Sequence, residues 1–219
     1  MRVLVNEGDR VEVREYPQDP LLRIPKTLSS KNYLETYGAF DIETTNIQIG
    51  EDIHAIMYLW QFCIGNSGRR DVYVGRSWKD FRVFMTHLKL MYNLDTGKKM
   101  VIWVHNLPFE FQFLRSILEP TKMFAVKKRV PVVVTFDDVF EFRCSYRLSN
   151  MSLSKFAEQE RAPHQKQSDF DYLKLRYPDT QINDNDLYYG VCDVLSLHES
   201  VESIMAAYGD TLTSMPFTS

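Results

Sequence analysis

Cysteine is scarce in this chain: Cys63, Cys144 and Cys192 are an odd number without paired spacing. That excludes a disulfide framework, and we read the three as reduced thiols of a cytoplasmic protein. No apolar run approaches the roughly 20 residues that a membrane span needs, and the N-terminus has no signal-peptide pattern. No membrane partner is therefore expected. An excess of positive charge is also missing, since 26 Lys and Arg against 29 Asp and Glu leave a net charge of −3. A nucleic-acid partner would gain nothing from overall charge and would have to be held by local groups or by metals. Repeats and low-complexity stretches are absent. What remains is 219 residues with 44% hydrophobic and 13% aromatic content, a globular chain long enough to bury a core.

Alternation on both sides of Glu7-Gly8-Asp9 predicts an N-terminal hairpin, and Pro17, Pro20 and Pro25 mark residues 17–36 as a connector. A strand over 37–42, a long apolar strand over 53–65 and a third over 69–75 form a meander. Ser77 with Asp80 caps a helix running to about Leu94. A buried strand over 100–106 leads into a helix over 108–118, with Pro108 in its first turn. Short strands fit 122–126, 131–136 and 139–144, and a helix fits 152–160. Residues 165–185 read as a polar loop. The clearest helix spans about 184–208, with Leu187, Val191, Val194, Val201, Ile204 and Met205 near one face. Strands first, then strands alternating with helices, predict an α/β fold with a mixed sheet and helices packed against it.

The stretch "YGAFDIETTN" (37–46) places Asp41 and Glu43 on one face at the end of a strand, where like charges repel. Glu110 opens a helix directly after a buried strand, and Tyr189 and Asp193 stand four apart on the last helix. Carboxylates that converge against repulsion share a cation, and oxygen ligands select Mg²⁺ or Mn²⁺. Two such ions are a device for phosphodiester cleavage. Each acid also has an ordinary explanation. A strand-end D-x-E is commonly a solvated edge, and Glu110 suits the helix dipole. Tyr189 would serve as a core aromatic and Asp193 as an exposed helix acid. His105 reads as a structural histidine, Phe113 as core, and "KKR" (127–129) as a solvated basic loop.

Taken together and in order, "FDIETT" (40–45), "HNLPFEFQFL" (105–114) and "YGVCD" (189–193) resemble the three exonuclease motifs of family B DNA polymerases, notably the protein-primed bacteriophage type within the DEDD group of 3′–5′ exonucleases. The resemblance covers about residues 37 to 205. It implies a ribonuclease-H-like mixed sheet flanked by helices, with the N-terminal hairpin as an extension. Two Mg²⁺ or Mn²⁺ ions would be held by Asp41, Glu43, Asp193 and Glu110, with Asp41 bridging. Glu110 stands where this group often has Asp, one methylene longer, so that it could act one layer further out. Tyr189 would orient the attacking water. Thr44, Asn106 and Phe109 match positions that grip the 3′ end. "CSYRLSNMSLSKFA" (144–157) puts Ser145 and Tyr146 against single-stranded DNA, although Cys144 departs from the pattern. "KQSDFDY" (166–172) matches at Tyr172, whereas the expected lysine is one place out of register, with Gln167 in its position and Lys166 beside it.

The implied activity is a proofreading 3′–5′ exonuclease acting on single-stranded DNA 3′ ends, as a monomer, in a host-cell cytoplasm. A palm, fingers and thumb would need several hundred further residues. The expectation is an excised or truncated exonuclease domain (37–208), preceded by the hairpin and connector (1–36). Residues 209–219 would be a tail or the start of a polymerase domain of the same parent chain. The alternatives are a stand-alone DEDD exoribonuclease and a nucleic-acid-binding module with an idle site.

Overall fold

The structure, a computed structural model, describes residues 2–6, 9–17, 32–66, 69–167, 170–171 and 174–219. Strands β3 (Tyr37–Ile49), β4 (Asp52–Asn66) and β5 (Arg69–Gly75) form the antiparallel meander. The parallel strands β6 (Met100–Val104) and β9 (Phe140–Cys144) continue the sheet on the other side of β3. Strands β7 (Pro120–Lys127) and β8 (Val130–Phe136) extend it antiparallel beyond β9. The hairpin of β1 (Arg2–Asn6) and β2 (Asp9–Glu15) joins through a parallel pairing of β2 with β5. The result is one nine-stranded sheet in the order β1-β2-β5-β4-β3-β6-β9-β8-β7. Its centre is the ribonuclease-H-like mixed sheet, with the expected N-terminal hairpin.

Helices cover both faces. On one, α1 (Trp78–Met91) and α2 (Leu107–Leu114) close a core containing Phe40, Trp60, Phe62, Phe84 and Phe142. Ser77 caps α1 by accepting the Asp80 N–H, and Phe81, Phe84, Met85 and Leu88 form its buried stripe. On the other face, the short α3 (Ser145–Ser149), α4 (Leu153–Gln159) and the long α5 (Asp184–Tyr208) pack over Ala39, Leu59, Cys63 and Trp103. Among the described residues no helix is long and apolar enough to cross a membrane.

Three expectations are corrected. The first strand runs to Ile49 and not to 42, because Thr44, Thr45, Ile47 and Ile49 favour extended chain and Gly50, at φ +64°, supplies the turn into Asp52. Asp41 and Glu43 therefore stand inside a strand, not at its end. Helix α2 stops at Leu114, four residues short of the expected end, and its last carbonyls are taken up by tighter turns at Ser116 and Ile117. Helix α5 is buried on all sides from Leu187 to Val201, and not along one stripe only. The sheet covers one side of it, and His164, Lys166, Arg176 and Ile182 from the stretch before it pack on another. The final residues also pack here: Leu212 and Met215 are buried, and the Leu212 carbonyl accepts from the buried Arg143 at 2.7 Å.

Candidate active site

Alternation along β3 turns Asp41 and Glu43 to the α5 side of the sheet, the side of Tyr37 and Ala39. Helix α5 crosses that face and brings Asp193 to them. One carboxylate oxygen from each of the three lies within 4.8 Å of the others. Glu110, in the first turn of α2 beyond the carboxyl end of β6, does not join this triplet but feels the charge of both Asp41 and Glu43.

Burial and mutual repulsion raise the proton affinity of these groups. Asp41 is pushed up to about 7, first by burial and then by the charge of Asp193, against the pull of Lys166 and the Ile42 N–H. Glu43 and Glu110 are raised well above the usual carboxylate range, again by burial first and then chiefly by Asp41. Asp193 is raised by burial and partly relieved by Lys166, whose ammonium donates to Asp193 Oδ2. The other oxygen, Oδ1 of Asp193, is buried and accepts from no donor among the described residues, and the same holds for Glu110 Oε2. An all-oxygen set with orphaned buried acceptors and suppressed ionisation fits hard divalent cations. Asp41, Glu43 and Asp193 are the residues that would hold them.

The remaining expected residues fall into three groups. Tyr189 is buried one helical turn before Asp193. Its ring stacks on Phe170 at 4.2 Å, and the Lys166 ammonium lies 4.9 Å from its centroid. Asn106 and Phe109 are exposed at the start of α2, and Tyr146 is exposed at the start of α3. Thr44 follows Glu43 and is half-buried, beside the bulge at which Tyr58 of β4 is left unpaired. An open cavity of about 480 Å³ is lined by Asn106, Tyr146, Ser152, Ser154 and Lys166, so Lys166 belongs both to this groove and to the acid cluster. Ser145 is not brought to the groove. It is fully buried, with its hydroxyl 3.0 Å from His105 Nδ1 and 3.4 Å from the Val104 carbonyl oxygen. Tyr172 lies outside the described residues. His105 is held neutral, its ring pushed down to about 4 by burial, and it stacks on Phe156.

Two residues of the site escaped the sequence reading. Gln61 faces Asp41 across the β3–β4 ladder, is fully buried, and donates weakly to Glu43 at 3.5 Å. Gly190 lets α5 approach it, because a Cβ there would stand 1.9 Å from Gln61 Nε2. Both carried a signal: one amide inside the apolar β4 run, and a glycine inside a helix where it costs stability.

The chain shares its fold with part of phi29 DNA polymerase. Against that polymerase complexed with single-stranded DNA, the TM-score is 0.61 at 15% identity, covering 80% of this chain and 32% of the polymerase. Against its ternary complex with primer-template DNA and incoming nucleotide, the values are 0.60 and 14%, covering 80% and 31%. The chain thus spans about a third of the length of phi29 DNA polymerase. No protein-family model matches the chain, and no curated protein matches it by sequence.

Proposed function

We propose that this chain is the 3′–5′ exonuclease domain of a DNA polymerase, removing nucleotides from single-stranded DNA 3′ ends with two bound Mg²⁺ or Mn²⁺ ions. The observation that carries this reading is the convergence of Asp41, Glu43 and Asp193, from β3 and α5, to within 4.8 Å of one another. The fold shared with phi29 DNA polymerase supports it. When bound, the ions would supply Lewis acidity at the phosphate and a nucleophile at neutral pH.

The chain's own residues account for the rest. Asn106, Phe109 and Tyr146 present an amide and two aromatic faces on which unstacked bases can lie. Thr44, next to Glu43 on β3, would contact the terminal sugar-phosphate. Lys166 brings a positive charge to the edge of the acid cluster, where an anionic phosphate would otherwise be repelled by the carboxylates. The Tyr189 hydroxyl would orient water beside Asp193.

Because the grip needs unstacked bases, single-stranded 3′ ends should be cleaved roughly 10- to 100-fold faster than blunt paired ends, and mismatched ends at an intermediate rate. Melting costs on the order of 1–2 kcal/mol per base-pair step. A 5′-labelled oligonucleotide presented in the three forms, with Mg²⁺ throughout, measures this. Equal rates on all three, or release of 5′ nucleotides, would sink the proofreading reading. An RNA oligonucleotide degraded faster than DNA would turn it toward an exoribonuclease.

Replacing Tyr189 with Phe keeps the stack on Phe170 and removes only the hydroxyl. Cleavage should drop roughly 10- to 1000-fold with oligonucleotide affinity nearly unchanged. An equal loss of affinity would make Tyr189 a packing residue.

A further inference from the structure

Lys166 lies in the segment between α4 and α5, in which no described residue belongs to a helix or strand. A loop lysine loses much freedom when its ammonium is fixed at one carboxylate, so its backbone must be held from elsewhere. We propose that Glu199 is a positioning residue, holding the Lys166 ammonium on Asp193 by clamping His164. This rests on the reading of Asp193 as part of the cleavage site.

Glu199 follows Asp193 on α5, less than two turns on, and is only 5% exposed. Its Oε2 accepts the backbone N–H of His164 at 2.9 Å, and its Oε1 lies 2.7 Å from His164 Nδ1. Both bonds fall on one residue, and Lys166 comes two residues later. Between them, the Gln165 amide donates to the carbonyls of Ala157 and Ala162 at 3.3 and 2.6 Å, tying the same stretch to the end of α4. One buried helix therefore grips both ends of the segment: Glu199 holds His164, and Asp193 receives Lys166. Arg70 does not explain this arrangement. Its Nη1 stands 3.9 Å from Glu199, while it bonds closely to Glu202 and donates to His198 Nδ1 at 3.1 Å. A carboxylate placed only to neutralise Arg70 would have no reason to take both donors of His164.

The first test needs no nuclease activity. In protein carrying ¹⁵N-labelled lysine, the Lys166 ammonium should give a slowly exchanging NMR signal, assigned by its loss in Lys166→Arg. Glu199→Ala and His164→Ala should each abolish that signal. Its survival in Glu199→Ala would overturn the proposal. The second test uses cleavage in Mg²⁺. Glu199→Ala should lower kcat about 10- to 100-fold with KM within about twofold, the usual loss when support behind a ligand is removed. Glu199→Gln, which keeps the shape and one acceptor, should stay within about threefold of the parent. In a Lys166→Ala background, Glu199→Ala should cost nothing further. Equal losses in both backgrounds would make Glu199 a general support of the fold and overturn the proposal. If Glu199→Ala does not fold, His164→Ala gives the same two comparisons. If the parent protein shows no Mg²⁺-dependent cleavage, the functional reading fails while the NMR result still decides the clamp.

Discussion

Replacing Asp193 with Asn should lower Mg²⁺-dependent removal of 3′ nucleotides by roughly three powers of ten or more, with the protein still folded. Asn has nearly the same volume and can still accept from Lys166, so the packing of α5 is kept and only the charge is lost. That charge belongs to a triplet whose oxygens lie within 4.8 Å, and two carboxylates hold a divalent ion much less well than three. What is lost is charge stabilisation of the phosphate, which binding elsewhere cannot replace. Asp41→Asn should behave the same way. Initial rates at saturating oligonucleotide, together with a binding titration, measure both effects. Near-parental cleavage by either variant would remove these residues from the site.

Burial and repulsion of these carboxylates should make the metal-free protein less stable at high pH. The Asp41 carboxyl titrates at about 7 in the folded chain, against 3.8 ordinarily. Between those values the folded state binds more protons than the unfolded state, so stability falls as pH rises from about 4 through 7. The full penalty is present above that range. From Asp41 alone it is on the order of 4–5 kcal/mol, because each pKa unit is worth about 1.4 kcal/mol. Glu43, Glu110 and Asp193 shift in the same direction and titrate together with it, so their shares do not add. His105 and His198 act oppositely. Held neutral down to about 4 and about 3, they disfavour the folded state as pH falls below about 6.5.

The informative quantity is therefore the difference between Asp41→Asn and the parent at each pH, in which the histidine contributions cancel. In EDTA at pH 8 the variant should melt roughly 6–15 °C higher, and at pH 4 the two should nearly coincide. Adding Mg²⁺ at pH 8 should raise the parent's melting temperature more than the variant's, because the ion binds only the folded state. Calorimetry across pH 4 to 8 would show this. A difference independent of pH and of Mg²⁺ would mean that Asp41 is not under the electrostatic load described.

Local periodicity was enough to read much of this protein from its sequence. Strand alternation put Asp41 and Glu43 on one face, helical spacing put Tyr189 and Asp193 on another, and the Ser77–Asp80 cap marked the start of α1. The strand–helix order sufficed for the mixed sheet. Where the first strand ends was not legible. Beyond Glu43 the β3–β4 ribbon is largely exposed, and without a buried face there is no apolar period to extend. The burial of Ser145 depends on where β9 meets β6, and the all-round burial of α5 depends on the segment that covers it. Both are distances between elements remote in sequence. So is the placement of Lys166, which motif register leaves one position out and which the loop backbone, held at His164 and Gln165, carries to Asp193. Spacing along a chain fixes direction within an element because the backbone repeats. It does not fix the gap between elements, which is decided by packing: Gly190 lets α5 close on Gln61 and brings the third carboxylate to the other two.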